Sequence, residues 1–182
     1  MEEKNKAWKT VSSKYLFRRP WLTVRCEDML LPNGNHIPEY YILEYPDWVN
    51  TIAITKEGKF VFVRQYRPGI GRTCYELCAG VCEKEDVSPL VSAQRELWEE
   101  TGYGNGNWQE YMVVSANPST HTNLTHCFLA TDVELIDHQH LEATEDISVH
   151  LFTLEEVRTL LENNEIMQSL NAAPLWKYMA SL

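Results

Sequence analysis

Three glutamates fall within five positions of the stretch RELWEETGY, residues 95 to 103. Glu96, Glu99 and Glu100 stand at i, i+3 and i+4, so a helix sets them on one face with Cβ atoms roughly 5 to 6 Å apart. Like charges at that spacing repel, in a chain whose net charge is already -10. Two readings account for the cluster. One is a solvated acidic face, the usual fate of a charge run. The other is a cation: three carboxylates on one helical face, with oxygen donors from a nearby loop, make a hard-oxygen site suited to Mg²⁺ or Mn²⁺. Mg²⁺ keeps several waters and is completed by substrate phosphates, so this second reading implies a di- or polyphosphate ligand.

The surrounding sequence supplies elements that would position such a cluster. Ser88-Pro89 offers an N-cap and a proline at the first helical position, and Gly102 stands where a left-handed C-terminal residue is wanted. Leu90, Ala93, Leu97 and Trp98 give that helix an apolar stripe. Before it, LTVRCEDMLL and HIPEYYILEY are joined by Pro32-Asn33-Gly34-Asn35, a hairpin signal, and WVNTIAIT and KFVFVRQY form a second hairpin around Glu57-Gly58. The loop RPGIGRT and a short strand YELCA lead to the helix. Further strands are predicted at QEYMVVS, THCFLATDVEL and ISVHLFT, a second helix at the capping box Thr153-x-x-Glu156, and a last amphipathic segment at NAAPLWKYMASL. Strands interleaved with helices and adjacent hairpins predict an α+β fold, a mixed sheet sandwiched between helices, preceded by an antiparallel β-ribbon. A two-stranded ribbon is marginal alone, so it must pack on something, another subunit included.

With 182 residues, 44% of them hydrophobic, the chain is long enough for one ordinary domain with small appendages. It divides at about residue 48 into an N-terminal β region, residues 1–48, and a main body, residues 49–182. An excess of 26 acidic over 16 basic residues repels phosphate backbones, so no nucleic-acid partner is expected. No run of eighteen uncharged apolar residues occurs and the start MEEKNKAWKT has no apolar signal region, so no membrane association is expected. Five cysteines, Cys26, Cys74, Cys78, Cys82 and Cys127, are an odd number without C-x-x-C pairs, which fits a reducing cytoplasm. The every-fourth spacing of Cys74, Cys78 and Cys82 reads as small buried side chains rather than zinc ligands. The His121 to His126 and His138 to His140 pairs lack the carboxylate and spacing that would make a metal shell by themselves.

Residues 80 to 103, GVCEKEDVSPLVSAQRELWEETGY, resemble a Nudix box, G-x5-E-x7-R-E-U-x-E-E-x-G-U with U aliphatic or aromatic. The half from Arg95 to Tyr103 matches at every fixed position. The half before it is one residue longer than the pattern, and Asp86 or Glu85 must stand in for the first glutamate. The resemblance implies that Glu96, Glu99 and Glu100 bind metal together with the Ala79 carbonyl, and that Arg95 is a positioning ion-pair partner. Arg64-Gln65-Tyr66-Arg67-Pro68 and Tyr75-Glu76-Leu77-Cys78-Ala79-Gly80 are similar to the RQYR and ELPAG segments of ADP-ribose and nucleotide-sugar pyrophosphatases, and Pro118 resembles the proline typical of the ADP-ribose group. In that branch the arginine at Arg67 meets substrate phosphates, with Glu76 beside the site; Cys78 replaces the family proline, a departure read as packing.

The resemblance also implies a general base in the acidic loop HLEATEDISVHLF, Glu145 first and Glu142 second, and N-terminal strands exchanged across a homodimer whose aromatics sandwich adenine. Trp8, Trp21, Tyr40 and Trp48 crowd the first fifty residues, and Trp21 is the candidate. The implied activity is Mg²⁺-dependent hydrolysis of a nucleoside diphosphate linked to a sugar, ADP-ribose giving AMP and ribose 5-phosphate. Alternatives are GDP-mannose, ADP-glucose or a dinucleoside polyphosphate as substrate, a non-catalytic nucleotide-sugar sensor, or an interaction protein whose acidic helix meets a basic partner.

Overall fold

A computed structural model describes residues 6–182 of the chain, which divides into two compact units. The first holds the described chain up to Tyr45 together with Asn117–Asn123, and the second holds Pro46–Ala116 with Leu124–Leu182.

The first unit is an antiparallel sheet in the order β1-β2-β3, made of β1 (Lys9–Arg19), β2 (Leu22–Leu30) and β3 (His36–Glu44). Gly34, at φ 86°, lies in the β2–β3 turn, in the left-handed region that glycine adopts without strain. The sequence-based ribbon of two strands gains a third: β1 was hidden because KTVSSKYLFRR is exposed along its whole length and so carries no buried alternation. Arg25 reaches Glu27 along β2 at 2.9 Å and Glu44 on β3 at 3.1 Å, while the Tyr15 hydroxyl of β1 donates to Glu44. The segment Asn117–Asn123 joins this unit through the Leu43 N–H, which donates to the Thr120 carbonyl at 2.8 Å, and the Tyr40 hydroxyl, which donates to the Ser119 carbonyl at 2.6 Å.

The second unit is built on a mixed sheet. Its path runs β11 (Ser148–Phe152), β5 (Phe60–Arg67), β4 (Trp48–Thr55), β10 (Thr125–Leu135), β8 (Tyr103–Gly104); β9 (Asn107–Val114) pairs with β10. β4 and β10 are parallel. β4 is buried along nearly its whole length because both of its faces are covered. Ile52 and Ile54 join Phe60, Phe62, Val157 and Leu175 on one face, whereas Val49 and Ala53 lie with Ala93 and Leu97 on the other. The period-2 alternation of β4 thus divides between helix α1 (Pro89–Thr101) on one side and helices α2 (Leu154–Glu162) and α3 (Ser169–Met179) on the other, an α/β/α sandwich.

β4 and β5 pair only at Ala53 with Val61 and Ile54 with Phe60, then separate. Two short strands fill the gap: β6 (Arg72–Glu76) runs along β5, and β7 (Cys78–Val81) runs along β4. The single short strand expected at YELCA is therefore two, changing partners at Leu77, whose fully buried side chain packs into the core. This split leaves the far half of β5 paired with β6 and frees β4 to pair with β7.

The helix ends follow their signals. Ser88 accepts from the Val91 N–H, Pro89 opens α1, and Gly102 closes it at φ 74° with its N–H on the Trp98 carbonyl. A Cβ on Gly102 would lie 2.1 Å from the Asp137 carbonyl oxygen, so only glycine lets that loop cross the helix end. Thr153 and Glu156 form the reciprocal capping box of α2.

Candidate active site

Asp86 is the acid that meets Arg95. Its Oδ2 accepts from the Arg95 guanidinium at 3.0 Å, from the Ser92 hydroxyl at 2.8 Å and from the Glu83 N–H at 3.2 Å. The guanidinium holds the Asp86 carboxyl below its usual range. Of the two stand-ins left open by the longer loop, the geometry selects Asp86. The two terminal nitrogens of Arg95 also donate to the Val81 carbonyl at 3.0 Å, Glu96 at 3.0 Å and Glu99 at 2.9 Å. One guanidinium therefore ties the loop, β7 and two of the three helical glutamates together.

Glu96 and Glu100 face β7 from α1, and Glu99 is held beside them by Arg95. The Glu100 carboxylate accepts from the Ala79 N–H at 3.1 Å, and Glu96 from the Val81 N–H at 3.3 Å. Gly80 lies between those two amides, and a Cβ there would fall 2.0 Å from the Glu96 carboxyl carbon. The absent side chain is what lets the carboxylate lie against the strand. Burial pushes Glu96 up, and pushes Glu100 up to about 7, with the charge of Glu96 adding to it. Acids crowded on one face, Glu100 buried and Glu96 and Glu99 partly so, with a single guanidinium among them are short of positive charge, and their all-oxygen donor set fits a hard divalent cation.

Cys78 plays a part that its sequence position concealed. Burial pushes the Cys78 thiol well above the range of an ordinary thiol, with the charge of Glu100 adding to it, so the S–H keeps its proton beside that carboxylate.

At the split of the sheet, Arg67 from the end of β5 binds Glu76 from the end of β6 through both carboxylate oxygens, with Nε to Oε1 at 2.9 Å. Glu76 is buried while Arg67 stays part-exposed, so the guanidinium is fixed by its inner edge and keeps donors on its outer one. Arg67 also lines a cavity of about 230 Å³ that runs past Ala79 and Gly80 to Asn50, Gln168 and Asn171. Asn50 and Asn171 are fully buried there, each with an unpaired side-chain oxygen. Nothing in their sequence surroundings marked them.

Glu142 and Glu145 lie in the loop between β10 and β11, both exposed, and the Glu145 carboxylate accepts from the Glu142 N–H at 2.8 Å. The charge of Glu145 is felt at Glu100. The loop is fastened to the last turn of α1: the Gln139 side-chain amide donates to the Glu100 carbonyl at 2.7 Å and the His140 N–H to the Glu99 carbonyl at 2.8 Å. Trp21 stands in the β1–β2 turn of the first unit and is 84% exposed. Trp8 packs edge-on against Tyr40 at 5.5 Å.

Among known proteins, the nucleoside diphosphate sugar hydrolase N-terminal domain matches residues 8–43 and the NUDIX domain matches residues 45–172. The chain is 32% identical over 165 residues to an ADP-ribose pyrophosphatase of Bacillus subtilis, covering 90% of this chain and 88% of that one. It is 30% identical over 162 residues to a methanol dehydrogenase activator of Bacillus methanolicus, covering 88% and 86%. The crystal structure of an ADP compounds hydrolase superposes with a TM-score of 0.83 at 20% identity, over 96% of this chain and 94% of that one, and so shares the fold. The split sheet, the arginine-tethered glutamates beside Gly80 and these matches lead to one conclusion: the chain belongs to the Nudix family.

Proposed function

We propose that the chain hydrolyses the pyrophosphate bond of a nucleoside diphosphate linked to a sugar, with ADP-ribose as the substrate and AMP and ribose 5-phosphate as products. The observation that carries this reading is the cluster in which Glu96 and Glu100 lie on the Ala79–Val81 strand while a single arginine ties Glu99 to Glu96. Those carboxylates and the Ala79 carbonyl would hold Mg²⁺, or Mn²⁺ in its stead. Such an ion supplies Lewis-acid charge to the phosphate oxygens.

The chain's own residues do the rest. Arg67, braced by Glu76, donates its free N–H groups to a phosphate oxygen. Glu145 takes the proton of the attacking water, with Glu142 next in line; their loop is exposed, which gives water access. Arg95 and Asp86 keep the carboxylates in place. Trp21 stacks on the adenine in a homodimer formed through the N-terminal sheet, a reading supported by the exposed Val11, Tyr15, Leu16 and Phe17 of β1. All five cysteines are free thiols, which supports a reducing cytoplasm. No helix among the described residues is long and apolar enough to cross a membrane.

The name of the Bacillus methanolicus relative favours a second reading, a nucleotide-sugar-binding Nudix protein that acts on a partner enzyme. One experiment separates the two: incubation with ADP-ribose, ADP-glucose and GDP-mannose in H₂¹⁸O with and without Mg²⁺. The proposal expects Mg²⁺-dependent turnover fastest on ADP-ribose, with one ¹⁸O in one product phosphate. Intact substrates throughout would leave the second reading.

A further inference from the structure

The loop after β10 carries Asp137-His138-Gln139-His140 near its start, and the fold gathers the three ionisable side chains into one cluster. Asp137 Oδ1 lies 2.6 Å from His138 Nδ1, and Asp137 Oδ2 lies 2.9 Å from His140 Nε2. Each carboxylate oxygen thus faces one imidazole nitrogen, and the two rings stand 4.4 Å apart. One ligand atom from each residue falls within 4.8 Å of the others, close enough for bonds of about 2 Å to meet at a shared centre. The carboxylate that the histidine pair lacked in the sequence reading is its immediate neighbour.

We infer that Asp137, His138 and His140 form a binding site for a divalent transition-metal ion of the Zn²⁺, Ni²⁺ or Cu²⁺ class. Two imidazole nitrogens and one carboxylate oxygen suit these borderline ions and are a poor set for Mg²⁺, which demands oxygen ligands. Solvent reaches the site, so water completes the coordination: the His138 side chain is 79% exposed and the Asp137 and His140 side chains 38% and 32%. On binding, the ion takes the place of the N–H protons that now point at Asp137, and each imidazole passes its proton to the outer nitrogen or to solvent.

The ligands are held ready. The His140 ring stacks on Trp98 at 4.1 Å, and the backbone on either side is pinned to the helix end by Asp137 N–H to the Gly102 carbonyl at 3.1 Å and His140 N–H to the Glu99 carbonyl at 2.8 Å. Trp98 is two positions from both Glu96 and Glu100, about 200° round the helix, so the imidazoles and those carboxylates occupy different sides of α1. An ion here closes a clamp at the root of the loop that carries Glu142 and Glu145.

Calorimetric titration of the full chain with Zn²⁺, in buffer holding enough Mg²⁺ to fill the carboxylate face, tests this directly. The expected result is one Zn²⁺ site that weakens at least tenfold in H138A and in H138A/H140A and persists in E96Q/E99Q/E100Q. His138 is largely solvent-exposed, so H138A keeps the test valid if the double variant folds poorly. Cu²⁺ bound in place of zinc should show nitrogen hyperfine splitting in its electron paramagnetic resonance spectrum, reduced in H138A. No Zn²⁺ binding by the parent, an isotherm unchanged in H138A, or zinc lost in the glutamate variant alone would each overturn the assignment. Because the readout is binding, it stands or falls apart from the hydrolytic reading.

Discussion

Replacing Glu100 by glutamine should make the metal-free chain more stable at pH 8 and leave it nearly unchanged at pH 4. Glu100 is 5% exposed, and burial pushes its carboxyl up to about 7 from an ordinary value of 4.5. The gap of about 2.5 units, at about 1.4 kcal/mol per unit, is on the order of 3 kcal/mol. A carboxyl whose folded value lies above its unfolded one holds its proton more tightly when folded. Stability from that proton is complete below pH 4.5, declines as pH rises, and is gone above about pH 7. Glutamine keeps an oxygen to accept from the Ala79 N–H and carries no charge, so it lifts the penalty. Urea unfolding in EDTA at pH 8 should favour the variant by about 2 to 3 kcal/mol, or roughly 4 to 12 °C in melting temperature. Added Mg²⁺ should narrow or reverse the order, because only the parent retains its full set of ligands. Equal stability of parent and variant at pH 8 in EDTA would refute the argument that Glu100 is a buried acid held against its own desolvation.

Gly80→Ala should fold normally, since the three atoms nearest the new methyl all belong to the movable end of Glu96, yet Mn²⁺ affinity and turnover should fall at least tenfold as that carboxylate is displaced; metal titration and a phosphate-release assay read both. Glu145→Gln should lower kcat by about 10²- to 10⁴-fold with KM little changed, while Glu142→Gln costs less than about tenfold. The opposite ranking would move the base to Glu142. Asp86→Asn should cost about 10- to 100-fold in metal affinity or activity by releasing Arg95, read by the same two assays.

The helix that bears the glutamates was legible because several local signals agree there: an N-cap serine, a proline at the first turn, a left-handed glycine and an apolar stripe. β4 and β5 announced themselves through apolar runs. β1 did not, since a strand exposed on both faces has no period to read. The break at Leu77 was equally hidden, because a change of hydrogen-bonding partner leaves no mark on side-chain alternation. The same holds for the site. Glu96, Glu99 and Glu100 are neighbours in sequence and so visible together, whereas the choice of Asp86 over Glu85 rests on a loop conformation. The burial of the Cys78 thiol near the Glu100 charge and the unpaired oxygens of Asn50 and Asn171 are tertiary facts. Asp137 beside His138 and His140 lay in plain view, yet spacing alone does not tell which way three side chains of a four-residue loop stretch turn.

The central claim is that a divalent cation collects on the carboxylate face of α1 against Ala79 and there meets a diphosphate. Anomalous diffraction at the manganese edge, from crystals grown with Mn²⁺ and an α,β-methylene analogue of ADP-ribose, measures this directly. The account predicts density peaks within bonding distance of Glu96, Glu99, Glu100 and the Ala79 carbonyl, with the analogue's phosphonate oxygens on the same ions and near Arg67. Ordered analogue with no manganese beside these glutamates, or manganese bound only elsewhere, would contradict it.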